Sequence, residues 1–240
     1  MTTCAAVALV TTALAGCSGG TASPDASATS TDPQVLSALR KAATATEKAG
    51  SAQVDGTSKT GTSSSARHGV LDWSHTPATG RLTVTGTGAG QTRSLRKAVY
   101  VRVSDSVAAS MGGRHWLKYG AAAAGTLAGQ LGASDPAGPV KELIASGDVR
   151  RVGPERVRGV RTTHYLGTTD TQRIELWIDK RGLVIKSLQK DDGSAGSTTT
   201  TAYYAHYGTH VVVKAPPAAD TVDYTALLKA QSASPSASAS

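Results

Sequence analysis

The chain has 240 residues, 18% of them charged, a formal net charge of +8, a pI of about 9.6, aromatics at only 4% and no phenylalanine. That length fits a single domain. The scarcity of aromatic rings excludes an aromatic core, so valines and leucines must build it.

The first sixteen residues, MTTCAAVALVTTALAG, carry no charge. An apolar run ending in small residues suits a secretory signal, and it is too short to span a bilayer. The competing reading is a buried N-terminal helix or strand. Leu14-Ala15-Gly16-Cys17 resembles the lipobox of bacterial lipoproteins. The resemblance implies that the Cys17 thiol receives a diacylglyceryl group and that cleavage before it makes Cys17 the new N-terminus. The first basic residue is Arg40, whereas a signal peptide opens with Lys or Arg; the expectation is therefore a start codon upstream of Met1. With Cys4 removed and Cys17 alkylated, the mature protein would have no thiol and no internal disulfide. Two acyl chains hold a protein on a membrane where one scarcely does.

Residues 1–16 are thus read as a lipoprotein signal peptide and 17–32, SGG-rich and Ser/Thr/Ala/Pro-rich, as a lipid-anchored flexible tether. Residues 33–230 are read as the folded domain and 231–240, QSASPSASAS, as a disordered tail. The localisation this implies is the outer, extracytoplasmic face of the cell membrane.

Asp32-Pro33 predicts a helix start. Val35, Leu36, Leu39, Ala42 and Ala43 recur at helical spacing up to a stop at Gly50. The modest, alanine-rich face suits packing on a sheet better than lying on a membrane. After Gly50 the period changes to two: Ala52 and Val54; Val70, Leu71 and Trp73; Leu82 and Val84; Val99, Val101 and Val103. Gly56, Gly80, Gly86-Thr87-Gly88 and Ser104-Asp105 are read as turns. A stretch without alternation, Gly120 to Asp148, follows; within it Pro139 opens a short predicted helix through Val140, Leu143 and Ile144, ended by Gly147. A second set of strands is predicted over Val157 to Tyr165, Ile174 to Asp179, Leu183 to Leu188 and Thr198 to Val213, then a last helix over Tyr224 to Leu228. Neighbouring strands in such runs favour an α+β fold with an antiparallel sheet and helices on one side.

Three patches carry a resemblance: Val152-Gly153-Pro154-Glu155-Arg156-Val157-Arg158-Gly159-Val160-Arg161-Thr162-Thr163-His164-Tyr165; Glu175-Leu176-Trp177-Ile178-Asp179 with Gly182-Leu183; and Tyr203-Tyr204-Ala205-His206-Tyr207-Gly208 leading to Pro216. With the lipobox and the element order, they make the chain similar to the LolA-like periplasmic and actinobacterial lipid-carrier lipoproteins, over roughly residues 34 to 228. The resemblance implies a strongly curved antiparallel half-barrel whose concave face is covered by helices and whose cavity takes acyl chains. It implies no catalytic residues.

Val99, Val101, Leu176 and Ile178 are the candidate ligand-binding residues of the inner wall, with the Ala/Gly-rich insert as a movable lid. A wide apolar wall with few unpaired polar atoms is what a lipid site needs. The same alternation equally describes an ordinary filled core. Motifs for chemistry are missing. No Lys follows a Gly in a P-loop; Gly86-Thr87-Gly88-Ala89-Gly90-Gln91 lacks the third glycine of a dinucleotide fingerprint; no Gly-x-Ser-x-Gly or His-Glu-x-x-His occurs. His206 and His210, on the predicted strand, would stand about 13 Å apart, too far for one metal ion. Asp191-Asp192-Gly193 reads as a hairpin turn rather than a calcium loop. The expectation is a protein that is not an enzyme and has no metal or cofactor beyond the diacylglyceryl on Cys17.

Arg150, Arg151, Arg156, Arg158 and Arg161 crowd one predicted hairpin. For an exported, tethered domain that excludes nucleic acid and leaves either contact with an anionic lipid or wall surface, or a solvated strand face. The expected partners are a lipid or lipidated apolar ligand and the membrane. The alternative function is a protein-interaction or envelope-stress regulatory module of the same fold, without lipid transport.

Overall fold

The computed structural model describes residues 32–120, 134–193 and 196–233, with side chains through Lys229. The signal, Cys17, nearly all of the tether and the end of the tail lie outside the described residues.

The first helix, α1 (Pro33–Ala49), starts where the Asp32 carboxylate accepts a hydrogen bond from the Gln34 amide at 2.7 Å, and ends at Gly50 in the left-handed conformation, φ 71°. Val35, Leu39, Ala42 and Thr46 form its buried stripe. Strands β1 (Ser51–Thr60), β2 (Ser63–Asp72), β3 (Thr79–Gly86), β4 (Gly90–Leu95) and β5 (Ala98–Arg102) follow as a meander. A short helix α2 (Asp105–Ser110) leads to β6 (Trp116–Gly120). Helix α3 (Ala137–Ser146) precedes a second meander of β7 (Val149–Val157), β8 (Val160–Thr168), β9 (Gln172–Asp179), β10 (Val184–Gly193) and β11 (Gly196–Ala205). Strand β12 (Thr221–Asp223) and α4 (Tyr224–Ala233) finish the described chain.

All twelve strands form one sheet in the order β12-β6-β5-β4-β3-β2-β1-β11-β10-β9-β8-β7. Every pair is antiparallel except β12 with β6. Pairing β1 with β11 joins the two meanders. The sheet is strongly curved, for a geometric reason. Leu82 on β3 and Val149 on β7 belong to one core cluster with Val35 and Leu39 of α1 and Val140 and Leu143 of α3. Seven inter-strand steps separate β3 from β7. A flat sheet would set them roughly 34 Å apart at about 4.8 Å per step. Only a sheet wrapped around the helix pair brings both to the same core. The expected α+β half-barrel with helices in its concavity is the fold observed.

Several local expectations are corrected. Gly56 and Gly80 are not turns; they sit inside β1 and β3. The register puts both on the concave face, where curvature crowds the strands: a Cβ on Gly80 would lie 2.5 Å from the Val70 carbonyl oxygen, and one on neighbouring Gly69 only 2.0 Å from that of Arg81. Glycine marks close backbone approach here, not chain reversal. We expect Gly69→Ala to cost about 2–3 kcal/mol, since backbone rather than a mobile side chain must give way; urea denaturation with an unchanged m-value would show it. The last long strand stops at Ala205, not Val213, because His206 takes a left-handed conformation, φ 50°. Asp191 and Asp192 close β10 as strand residues facing Thr198 and Ser197. Strands β4, β6 and β12 and helix α2, N-capped by Ser104, were not predicted. Residues 121–133 of the expected lid lie outside the described residues; the rest of that insert is tightly packed, with Val140 and Leu143 of α3 fully buried.

Beyond β11 the chain leaves the middle of the sheet and crosses its outer face to reach the β6 edge. Ser51 Oγ donates to the Thr209 carbonyl at 2.6 Å, and Arg93 Nη1 donates to the Lys214 carbonyl at 3.2 Å, so this strap is tied to β1 and β4.

Candidate functional site

The register places Val99, Val101, Leu176 and Ile178 on one face of the sheet. Leu176 faces Ser187, which faces Ala202, which faces Gly56 beside Arg67 and Val84. On the other meander Thr92 faces Val101, and Val101 faces Leu117. This is the face that α1 and α3 cover, so all four predicted residues point into the concavity, but they do not share one cluster: Leu176 and Ile178 belong to the core under the helices and Val99 and Val101 do not.

The two ends differ in how they are filled. Under α1 and α3, Leu176, Ile174, Val54, Leu39 and Leu143 are all fully buried in one cluster that also holds Ile178. The Ser187 hydroxyl there meets Tyr204 Oη at 3.5 Å, and burial pushes the Tyr204 hydroxyl up to about 12, whereas the buried Thr46 Oγ1 of α1 has no hydrogen-bond partner among the described residues. Ile178 and Leu176 are therefore packed core residues in this structure.

The β3–β6 end is a wall. Val84, Val101, Leu117 and Tyr119 are half-buried and, with the buried Val99, belong to neither core cluster of the described residues. Polar positions on this wall are small or tied down: Ser94 is buried and its hydroxyl donates to the Ala78 carbonyl at 2.9 Å. At the rim, Tyr119 and Tyr224 of α4 stack with ring centres 4.7 Å apart. Burial, then the neighbouring Tyr224, holds the Tyr119 hydroxyl above its ordinary value. The chain enters residues 121–133 directly from this wall and returns at Ser134, which is buried and accepts a hydrogen bond from Arg67 Nη1 at 3.2 Å. Beside it, burial raises the Asp135 carboxyl.

The outer face carries a stacked ladder rather than a reaction centre. His164 stacks on Trp177 at 4.2 Å, and the Lys186 ammonium lies 3.7 Å from the other side of the same indole. Trp177 Nε1 donates to Glu155 Oε2 at 2.7 Å, and His164 Nε2 lies 2.8 Å from Glu175 Oε2. These contacts link β7, β8, β9 and β10 across the outer face. No group of three His, Cys, Asp or Glu side chains suited to a metal occurs among the described residues. His206 and His210 follow the strand instead of lying in it.

All five hairpin arginines are exposed on β7 and β8 or their turn. Two have structural work: Arg156 Nη1 donates to the Gly159 carbonyl, and Arg158 pairs with Asp55 at 2.9 Å and lies 3.9 Å over the Tyr203 ring. These contacts fold the hairpin tip onto the outer face. Sequence spacing gives no signal for that, because the partners come from β1 and β11.

An open, curved sheet with helices in its concavity and an apolar wall beyond them defines a half-barrel fold. Lipoprotein LppX of Mycobacterium tuberculosis has this fold, with a TM-score of 0.56 at 15% identity over 77% of this chain and 100% of that one. LprF of Mycobacterium bovis likewise matches with a TM-score of 0.54, at 16% identity over 78% of this chain and 99% of that one. The chain belongs to the family of the Streptomyces coelicolor protein named "Putative lipoprotein SCO4650", to which it is 40% identical over 219 residues, 81% of this chain and 76% of that relative. No family model matches the chain. That relative is named as a lipoprotein. The LolA-like resemblance read in the sequence holds for both fold and lipoprotein family.

Proposed function

We propose that this protein is anchored through a diacylglyceryl group on Cys17 at the extracytoplasmic face of the cell membrane, and that it binds or carries a lipid or other apolar ligand in the concavity of its half-barrel. The observation that carries the reading is the difference between the two ends of the concave face. One end is closed by α1 and α3 into a packed core. The other carries Val84 on one side and Val99, Val101 and Leu117 on the other side of the small β4 groups Gly90, Thr92 and Ser94, without a place in that core.

An acyl chain laid on that wall removes apolar area from water at about 25 cal/mol per Å² on both partners. The tether of residues 17–32 would give the domain reach from the bilayer. Among the four residues singled out by alternation, the half-buried Val101 is the one that touches ligand in this reading; Val99, Leu176 and Ile178 are buried and support the wall from behind. Titrating a naturally fluorescent polyene fatty acid into the chain carrying Cys17→Ser tests the binding. Saturable enhancement, competed by unlabelled fatty acid, is the expected result; no enhancement contradicts it.

A further inference from the structure

The outer face holds a cavity of about 540 Å³ between strands β1–β4 and the strap. Gln53, Val70, Arg81 and Arg93 line it from the sheet, and Val212 to Lys214 cover it. It lies on the opposite side of the sheet from the apolar wall, since Arg81 and Arg93 alternate with the concave residues Leu82 and Ser94. The volume lies within the range of small-molecule sites.

Its charge is one-sided. Arg81 and Arg93 are directly opposite each other in the β3–β4 register. Lys214 adds a third cation, and no aspartate or glutamate lines the space. Like charges directly opposite destabilise a sheet pair, yet none of the three makes an ion pair among the described residues. Nearby cations do have partners: Lys118 pairs with Asp223 and Arg102 with Asp105, each at 3.6 Å. The Arg93 guanidinium is also held in place, 4.6 Å over the Trp116 ring and bonded to the Lys214 carbonyl. Two arginines and a lysine lining one space without an acid suit an oxyanion that accepts several charge-assisted hydrogen bonds. The cavity exceeds a bare anion, and Val70, Val212 and Val213 give the remainder an apolar side.

We propose that this cavity binds the phosphate group of a small phosphate ester, seated between Arg81 and Arg93 under the strap, with the ester's organic part against Val70 and the strap valines. The phosphate belongs either to a lipid headgroup or to a soluble or polymeric ester. The site is independent of the concave wall, and its occupancy has no bearing on acyl-chain uptake.

The test uses the chain carrying Cys17→Ser, titrated with glycerol phosphate against sodium chloride of equal ionic strength, and floated with phosphatidylglycerol or phosphatidylcholine vesicles. Glycerol phosphate is expected to bind and to raise Tm where chloride does not. Arg81→Gln is expected to weaken that binding at least tenfold while leaving the ligand-free Tm unchanged or higher, because the opposed charges are gone; loss of binding therefore cannot be put down to misfolding. Phosphatidylglycerol flotation that Arg81→Gln abolishes assigns the phosphate to a headgroup. Binding of glycerol phosphate without flotation assigns it to a soluble or polymeric ester. No binding above the chloride control, or an Arg81→Gln chain with wild-type affinity, overturns the proposal.

Discussion

Leu176→Ala is expected to destabilise the domain by about 3–4 kcal/mol, the range for removing a leucine from a core that cannot collapse. For a domain of this size that lowers Tm by roughly 10 °C. The expectation follows from where Leu176 sits. It is fully buried in a cluster with Ile174, Val54 and the helix residues Leu39 and Leu143. Strands on either side are hydrogen-bonded to β9, so the backbone has little freedom to close the gap. Fatty acid uptake should be unchanged when measured below the lowered Tm. A loss under about 1 kcal/mol, accompanied by altered uptake, would instead make Leu176 a cavity-wall residue.

Val101→Asp should do the reverse. Val101 is half-buried on the wall between Thr92 and Leu117. A carboxylate there can stay hydrated in the empty protein, so the folding cost should be about 1 kcal/mol, the span of strand preferences. Covering it with an acyl chain strips that hydration or neutralises the group, at a cost of several kcal/mol. Uptake should fall by about a hundredfold or more, since every 1.4 kcal/mol is a factor of ten. Far-UV circular dichroism and Tm close to the parent, with fluorescence enhancement lost, are the expected observations. Wild-type uptake by Val101→Asp would move the ligand away from this wall.

The contrast between these two residues shows what was readable in the sequence and what was not. Alternation put Val101 and Leu176 on the same face, because side-chain direction in a strand depends only on counting by two. It could not tell wall from core, because that depends on where α1 and α3 settle along a curved sheet. Helix α1 was legible at both ends, because its cap and terminating glycine are local, while its buried stripe holds Val35, Leu39 and Ala42 as expected but continues to Thr46 and leaves Leu36 and Ala43 half-buried. Strand β4 was not legible, because its concave positions are Gly90, Thr92 and Ser94, small groups that suit a crowded curve and leave no apolar rhythm. Gly56 and Gly80 were misread for the same reason; the space they vacate is filled by a neighbouring strand. The end of β11 was overrun because Val211, Val212 and Val213 look like strand, whereas they form the strap over the outer face. The cationic cavity beneath that strap was invisible, since it joins residues of β3 and β4 to a segment more than a hundred positions later.

The ligand reading is tested most directly with the anchor removed. The chain carrying Cys17→Ser, expressed in a bacterial host and purified without detergent, should be weighed intact by native mass spectrometry, then again after organic extraction. A reproducible added mass, released into the organic phase and identified as a lipid, is the predicted result, and it should disappear in Val101→Asp. A bare polypeptide mass, unchanged after incubation with membrane lipid extract, would contradict an apolar ligand site in this half-barrel.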